Sequence, residues 1–287
     1  MVLCSFHLIA LKEGTTPSTL LSSLRKAGIK PIVQARVFRW MILPTQLSAG
    51  HLLARNIHWD MLLVLPENTY INPSIRAASI AAEWTATVGT SAKLLSNYVP
   101  LNAELLNPRV PVAPASLDLE AAARADSSQN LELTPELAEF IGSLPAHLRS
   151  HPVSMLNLLS FNTGKQAQYV KYGQEFSARV GARHGGRVKI VGKVTGSGMA
   201  GKEEEGDATK KQQQQKQQQT EGWDEIAFVH YPTIAHFASM AGDKDYQDVN
   251  HKYRLGALKD TFIICVLEID DDGEVVGAAK KENNAKL

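Results

Sequence analysis

The chain has 287 residues, of which 44% are hydrophobic and 21% charged, and its formal net charge is +1. These values are ordinary for a globular protein of two domains. The near balance of 30 basic and 29 acidic side chains, with no basic stripe, excludes a typical nucleic-acid-binding surface. We therefore expect no nucleic-acid partner.

Six elements are predicted in the first 106 residues from hydrophobic periodicity and turn residues. They are a strand over 3–12, a helix over 16–28, strands over 30–43 and 59–65, an alanine-rich helix over 72–88 and a strand over 93–101. Pro17 suits the first turn of the first helix. The order is β-α-β-β-α-β, which is that of a ferredoxin-like unit.

Three segments have compositions typical of unstructured chain. Residues 107–130 are rich in Pro, Ala and Ser, residues 196–222 carry a glutamine tract, and the tail after Asp270 is polar. Such segments bury too little apolar surface to offset their ordering entropy. We expect a linker with a short helix over 107–150, a disordered insert over 196–222 and a disordered tail over 271–287. The glutamine tract also suggests a eukaryotic source, such as a fungus.

The second half repeats the order of elements found in the first. It has strands over 153–161, 187–195, 224–231 and 261–269, with helices over 165–183 and 233–259, the second helix broken near Gly242-Asp243. A Trp-Asp pair leads into the third strand of each half, at Trp59-Asp60 and Trp223-Asp224. The same pair in the same element order indicates an internal duplication.

A four-stranded sheet with helices on one face leaves its other face bare, and two such sheets can cover each other. We therefore predict an α+β fold in which tandem ferredoxin-like (β-α-β-β-α-β) repeats, 1–106 and 151–270, form an intramolecular dimeric α/β-barrel pseudo-dimer. The sequence does not determine any further oligomerisation.

The second half resembles the DUF1330 family of the dimeric α/β-barrel superfamily over 153–269. The matching segments are MLNLLSF, YVKYG, RHGGRV, WDEIAFVHYP and DYQDVNHKYRLGALKDT. They follow the family's order once the glutamine insert is removed. The first half is a more degenerate repeat. The resemblance implies the fold and a pocket between sheets and helices. It selects no activity, because DUF1330 is a family of unknown function within a superfamily of varied chemistries.

Three residues of the second half are candidates for catalysis: His230, His251 and Arg254. Either histidine could act as a general base, since an unperturbed imidazole has a pKa of about 6.5. His251 and Arg254 are i, i+3 neighbours on one predicted helical face, where the arginine could hold a carboxylate or enolate oxygen. The structural alternatives are a backbone-bonded histidine at 230 and a solvated or interface helix face at 251 and 254.

Six further residues are candidates for substrate binding: Tyr231, Tyr246, Tyr253, His184, Asn157 and Arg36. Strand alternation sends His230 and Tyr231 to opposite faces, so one of them should reach the cavity between the sheets. His184 is either an acid or base at a pocket rim or part of a helix C-cap.

Polar residues in otherwise apolar strands form a further candidate set: His7, Gln34, Arg36 and Asn157. If they face between the two predicted sheets, they line a cavity that could orient a ligand. The alternative is that they face solvent on edge strands.

Several kinds of site have no sequence signature. No metal-binding spacing, P-loop, GxGxxG after a strand or GxSxG occurs, so we expect neither metal nor cofactor. Cys4 and Cys265 lie in predicted strands outside any CxxC pair, which favours buried thiols in a reducing compartment. No signal peptide or membrane span is indicated. We expect a cytoplasmic protein without a membrane partner.

Two functional hypotheses follow. The first is a small-molecule-binding protein, including a cofactor-independent enzyme of the oxygenase, decarboxylase or cyclase type, acting on an aromatic or polyketide-like compound. The alternative is a non-catalytic structural or protein-interaction module with a filled barrel. A cavity reached by histidine or arginine favours the first, and a space closed by Leu, Phe and Met favours the second.

Overall fold

The computed structural model describes residues 1–109, 113, 115–122, 131–200 and 221–277. The strands in this part of the chain are β1 Val2–Leu11, β2 Val33–Ile42, β3 Met61–Pro66, β4 Ile80–Thr90, β5 Val153–Phe161, β6 Arg187–Met199, β7 Glu225–Tyr231 and β8 Leu258–Glu268. Every neighbouring pair is antiparallel, and the order β1-β3-β2-β8-β5-β7-β6-β4 closes a barrel.

Helices lie around this barrel. They are α1 Pro17–Lys26, α2 Ala49–Leu52, α3 Pro73–Ser79, α4 Ala92–Ser96, α5 Tyr98–Leu106, α6 Leu119–Ala122, α7 Pro135–Ser143, α8 Ala146–Arg149, α9 Gln166–Glu175, α10 Ile234–Ala241 and α11 Lys244–Val249. The π turns Phe176–Gly181 and Asn250–Leu255 continue α9 and α11. None of the described helices has the length and apolar character needed to cross a bilayer.

The predicted pseudo-dimer of two ferredoxin-like sheets is wrong. β2 is hydrogen-bonded to β8 and β4 to β6, so the strands form one closed, eight-stranded, all-antiparallel sheet. An open sheet leaves the backbone groups of its edge strands unpaired, and closure pairs them. The fold is therefore a single antiparallel barrel surrounded by helices.

The interior of the barrel is filled by apolar side chains from all eight strands, among them Phe6, Leu8, Val33, Leu62, Trp84, Leu156, Ile190, Phe228, Phe262 and Ile264. The Phe262 ring contacts the rings of Trp84 and Trp223, with centroids 5.9 and 5.1 Å apart. An eight-stranded barrel has an interior just wide enough for side chains to fill. At these residues, the space predicted as a ligand cavity between two sheets is packed core.

Two further apolar clusters lie on the outer surface of the barrel. One joins β1 and β3 to α1 through the buried side chains Leu20, Leu21 and Leu24. The other joins β5, β7 and β8 to α7, α10, α11 and the first π turn. Helices therefore cover an outer face of the barrel in each half.

The two Trp-Asp pairs make matching contacts. Asp60 Oδ2 accepts a hydrogen bond from the Leu11 N–H at 2.7 Å, and Asp224 Oδ2 accepts one from the Phe161 N–H, also at 2.7 Å. Each aspartate thus ties the end of the first strand in its half to the start of the third. The pair has the same structural role in both halves.

Segment 80–101 differs from its prediction. The predicted helix over 72–88 ends at Ser79, the following strand is β4, and 93–101 lies in α4 and α5 rather than in a strand. Every second residue, Trp84, Ala86 and Val88, points into the barrel core. Burial of these side chains favours a strand and outweighs the helix propensity of the alanines in this segment.

Other boundaries are partly confirmed. The break near Gly242-Asp243 separates α10 from α11, and both cysteines are free and buried. The predicted insert begins too early, because β6 continues to Met199. The start of the predicted tail is folded, since the Asp270 N–H donates to Glu274 O at 2.8 Å. The remainder of the insert and tail, 201–220 and 278–287, lies outside the described residues, as do linker residues 110–112, 114 and 123–130.

Replacing Phe262 with alanine tests the filled barrel. The ring is fully buried, so Phe262→Ala should lower the free energy of unfolding by about 3–5 kcal/mol through lost burial and a residual cavity. Urea denaturation measures this change. Val170→Ala, at a position that is 52% exposed on α9, is the control and should change stability by less than about 0.5 kcal/mol. A loss below about 1 kcal/mol at Phe262 would contradict a tightly packed interior.

Candidate functional site

Two of the helices on the outer face of the second half continue into π turns. α9 runs into Phe176–Gly181, and α11 runs into Asn250–Leu255. The first turn is closed where the Gly186 N–H donates to Gly181 O at 2.7 Å. π turns are rare and occur frequently at functional sites. Side chains held between these two segments are therefore the first candidates for a site.

Arg254, in the second π turn, is buried, with 2% of its surface exposed. Its Nη1 donates to Asn250 Oδ1 at 3.5 Å, and its Nη2 has no hydrogen-bond partner. A buried cation is costly unless it is paired and hydrogen-bonded. This guanidinium therefore offers an unused donor to an anion.

Aromatic side chains from α9, its π turn and α11 form a cluster beside Arg254. The ring centroids of Tyr169 and Tyr172 are 5.1 Å apart, and those of Phe176 and Tyr246 are 6.2 Å apart. The hydroxyls of Tyr172 and Tyr246 are hydrogen-bonded at 3.2 Å. The i, i+3, i+7 spacing of Tyr169, Tyr172 and Phe176 places their rings on one face, and the two tyrosines interact with the buried arginine.

The electrostatics keep this site cationic. Burial lowers the pKa of Arg254, but the phenols of Tyr246, Tyr172 and Tyr169 outweigh it, so the pKa is raised overall. Burial raises the pKa of Tyr172 despite the opposing charge of Arg254, and it raises that of Tyr246 further. At neutral pH the site combines a charged guanidinium with protonated hydroxyls, which together can bind an anion.

Glu225 adds an acid at the edge of this site. Burial, followed by the neighbouring charge of Asp224, raises the pKa of its carboxyl. Glu225 shares the outer face of β7 with Tyr231, and its charge adds to the rise that burial and Tyr172 cause in the pKa of Tyr169. A carboxyl with a raised pKa is suited to proton transfer.

The structure brings three of the predicted residues into this arrangement. Arg254 and Tyr246 face each other, and Tyr231 is buried on the outer face of β7, where burial and then Tyr172 and Tyr169 raise its pKa. His230 and Tyr231 lie on opposite faces of the strand, as alternation predicts.

His251 does not share a face with Arg254, so that prediction is wrong. His251 is exposed, whereas Arg254 is buried. The cause is the π turn, in which hydrogen bonds span five residues and positions i and i+3 no longer lie one above the other. Any catalytic role for His251 stays a prediction.

The other predicted ligand-binding residues have local partners or lie elsewhere. His184 Nε2 is 2.7 Å from Asp243 Oδ2, and the ring of Tyr253 lies beneath Lys252 Nζ at 5.0 Å. Arg36 is exposed on β2. Asn157 faces outward on β5 and donates to two backbone carbonyls of the sheet, at 3.0 and 3.1 Å.

The polar residues expected to line an inter-sheet cavity do not do so. Phe6 and Leu8 occupy the barrel core, so His7 between them faces outward, as does Asn157 between its two buried leucines. Gln34 also lies on the outside, where it donates to Ile269 O at 3.2 Å. The cavity prediction failed here because the inward positions next to these residues are taken by apolar side chains.

A second buried polar cluster closes one mouth of the barrel. Lys189 Nζ donates to Asn102 Oδ1 at 2.5 Å, to Ser154 Oγ at 3.0 Å, and to Glu268 Oε1. Glu268 Oε2 accepts from the Tyr98 hydroxyl at 3.0 Å and from Asn102 Nδ2 at 2.6 Å. Burial lowers the pKa of Lys189, against the opposing charge of Glu268. Because every donor of the ammonium is used, this cluster is a structural plug joining α5 to the barrel.

His230 lies next to this plug, on the interior face of β7. It is 2% exposed, and its Nδ1 has no hydrogen-bond partner. Burial, followed by the charges of Lys189, His236 and Arg187, lowers its pKa to about 3. A general base works best with a pKa near the working pH, so this environment does not favour that role for His230.

Several residues of the two clusters escaped sequence reasoning. Tyr169 and Tyr172 were recognisable as one helical face, but the same spacing is typical of a core. The inward direction of Lys189 could not be predicted from the sequence. Strand alternation would place it on the face opposite its buried neighbour Ile190, but a β-bulge between Val188 and Ile190 turns it toward the core.

The chain is similar to two solved structures over part of its length. A protein of unknown function from Rhodopseudomonas palustris, RPA0582, has 24% sequence identity over 47% of this chain and 93% of its own, with a TM-score of 0.33. The methylated form of RPA0582 gives 25% identity over 49% of this chain and 94% of its own, with the same TM-score. Scores this low support no conclusion about fold or function. No family model and no curated protein matches the chain.

Removing one partner of the buried Lys189–Glu268 pair should lower the free energy of unfolding more than neutralising both partners. Lys189→Met leaves a buried carboxylate without its cation and should cost about 3–5 kcal/mol in urea denaturation at pH 7. Lys189→Met combined with Glu268→Gln should recover part of that loss, because no charge remains buried. Lys244→Met, which breaks the exposed pair with Asp248, should cost less than about 1 kcal/mol. A double variant no more stable than Lys189→Met would oppose this account.

His230 should make the protein more sensitive to acid. Its folded pKa of about 3 lies below its usual value of 6.5, so between these values the unfolded state binds the extra proton. Stability should therefore fall as the pH drops from 6.5 toward 3, by up to about 1.4 kcal/mol per pH unit from this residue. His230→Gln should flatten that part of the stability profile, whereas Val170→Ala, at an exposed position without a titratable group, should leave the slope unchanged.

Proposed function

We propose that this chain binds small anionic compounds of aromatic or polyketide-like structure at Arg254, beneath α9 and α11. The observation that carries this proposal is the buried guanidinium, whose Nη2 lacks a hydrogen-bond partner. The N–H groups of Nη2 can donate to a carboxylate or enolate oxygen, and this charge-assisted interaction strengthens away from water.

The surrounding side chains support an aromatic ligand. Small-molecule sites are lined mainly by apolar and aromatic groups, with a few polar groups that fix orientation. Here Tyr169, Tyr172 and Tyr246 provide rings for stacking and hydroxyls for hydrogen bonds beside the charge.

The same arrangement suits chemistry that needs no cofactor. In an enolisable carbonyl compound, loss of a carbon-bound proton places negative charge on the oxygen, which Arg254 would hold. Glu225, whose raised pKa allows exchange of that proton, would act as the acid or base. This extends the proposal to a cofactor-independent oxygenase, decarboxylase or cyclase.

Two further features belong to this proposal. The resemblance of 153–269 to the DUF1330 family includes the segment that carries Tyr246 and Arg254. The free, buried cysteines Cys4 and Cys265 support a cytoplasmic setting, because burial raises the pKa of both thiols and leaves them unreactive.

The second candidate function is a non-catalytic structural or protein-interaction module. The filled barrel favours it, since the interior is packed with apolar side chains from every strand. This candidate requires no ligand at Arg254, and the two functions therefore differ in a direct binding measurement.

Isothermal titration with salicylate and with the neutral benzamide tests the proposed site. Salicylate should bind, and Arg254→Met should weaken it roughly 10- to 100-fold, the value of a lost charge-assisted hydrogen bond of about 1.5–3 kcal/mol. Tyr172→Phe should weaken it less. The weak binding expected for benzamide should not change in Arg254→Met.

Arg179→Met is the matched control, because this arginine is 60% exposed and lies in the π turn that continues α9, whereas Arg254 lies in the one that continues α11. Thermal denaturation should show that Arg254→Met stays folded, since replacing a buried, unpaired charge with an apolar group is often neutral or stabilising. Equal salicylate affinity in the wild type, Arg254→Met and Arg179→Met would contradict the site and favour the structural module.

A further inference from the structure

Three polar side chains on the outer face of the first half form a connected chain of hydrogen bonds. His7 Nε2 is 2.7 Å from Ser5 Oγ, and His7 Nδ1 is 2.6 Å from Glu83 Oε1. Ser5 and His7 are two residues apart on β1 and so share its outward face, whereas Glu83 projects from the adjacent strand β4. His7 and Glu83 are buried, and Ser5 is partly exposed.

A fourth residue, Arg76, holds the carboxylate of Glu83 in place. Arg76, on α3, donates to Glu83 Oε2 through Nε at 2.8 Å and to Oε1 through Nη2 at 3.4 Å. Burial raises the pKa of Glu83, but its contacts with His7 and Arg76 outweigh burial and lower it overall. The carboxylate therefore stays ionised and favours a proton on His7 Nδ1, which leaves Nε2 free to accept from the Ser5 hydroxyl.

This order of groups has a chemical meaning. A serine hydroxyl bonded to one nitrogen of an imidazole, with the other nitrogen held by a buried carboxylate, is the constellation that activates a serine nucleophile. It recurs on unrelated folds and is recognised by geometry rather than by order in the chain. The distances here lie within the hydrogen-bond range required of a nucleophile and its base.

We propose that Ser5, His7 and Glu83 form a nucleophile–base–acid triad that cleaves small activated esters. Ser5 Oγ bonds to the acyl carbon as its proton passes to His7 Nε2, and the ester C–O bond breaks to release the alcohol, which takes that proton. Water then attacks the acyl group, its proton passes to His7, and Ser5 leaves as the free hydroxyl. Each step balances without a metal or an oxidant.

The surroundings of Ser5 limit the substrate class. Across the sheet, Ser5 lies opposite the buried Leu65 on one side and Thr87 on the other. Esters with a good leaving group depend least on stabilisation of the oxyanion, so short aryl esters are the substrates that the triad alone can cleave.

Labelling with an ethyl fluorophosphonate probe tests the triad in the full-length protein. Ser5 Oγ should bond to phosphorus with loss of fluoride, and peptide mass spectrometry should place the adduct on Ser5. The labelling rate should fall at least about 100-fold in His7→Asn, the usual contribution of a general base. Ser5→Ala should abolish the adduct, and p-nitrophenyl acetate hydrolysis should fall in parallel.

Ser23→Ala is the matched control, because it removes the hydroxyl of a serine on α1 and leaves the triad and its neighbours intact. Its labelling rate should equal that of the wild type. Glu83→Gln provides a second test should His7→Asn fail to fold, and it should slow labelling while Ser5 remains in place. An unlabelled Ser5 in the wild type, or labelling that is unaffected by either His7→Asn or Glu83→Gln, would overturn the proposal.

Discussion

Closure of the sheet is the constraint on which the rest of the structure depends. The ladders from β2 to β8 and from β4 to β6 leave no edge strand in the barrel unpaired and fix which face of every strand points inward. Eight strands enclose a space that side chains alone can fill, and apolar residues fill it here. Polar chemistry is consequently confined to the mouths of the barrel and to its outer face.

The buried polar groups follow this division. At one mouth, Lys189 and Glu268 satisfy each other and their neighbours, so the cluster joins α5 to the barrel without an unused donor on the ammonium. Beneath the helices of the second half, Arg254 keeps a nitrogen without a partner. The difference in hydrogen-bond satisfaction, more than burial or charge, is the ground on which the proposed binding site is distinguished from the structural cluster.

The order and approximate position of most elements could be predicted from periodicity and turn residues, but sheet closure could not. Closure depends on pairing between strands far apart in sequence, such as Ala35 with Glu268, which no local pattern encodes. The same limit applies to the sites. Arg254 and Tyr246 were recognisable by residue type, whereas the π turn that separates His251 from Arg254 depends on tertiary packing. The contact of His7 with Glu83 spans 76 residues and leaves no mark in the local sequence.

The matched Trp-Asp contacts allow the two halves to be compared position by position. His7 lies opposite the third residue after Asp60, and Asn157 lies opposite the third residue after Asp224. The two side chains therefore occupy corresponding places on the outer face. In the first half this place carries an imidazole bonded to a hydroxyl and a carboxylate. In the second it carries an amide that donates only to backbone, and Met155 takes the place of the serine. In the first half the outer face of the sheet thus carries the imidazole, hydroxyl and carboxylate together, whereas in the second half the proposed site takes Arg254 and three tyrosines from the helices and Glu225 from β7.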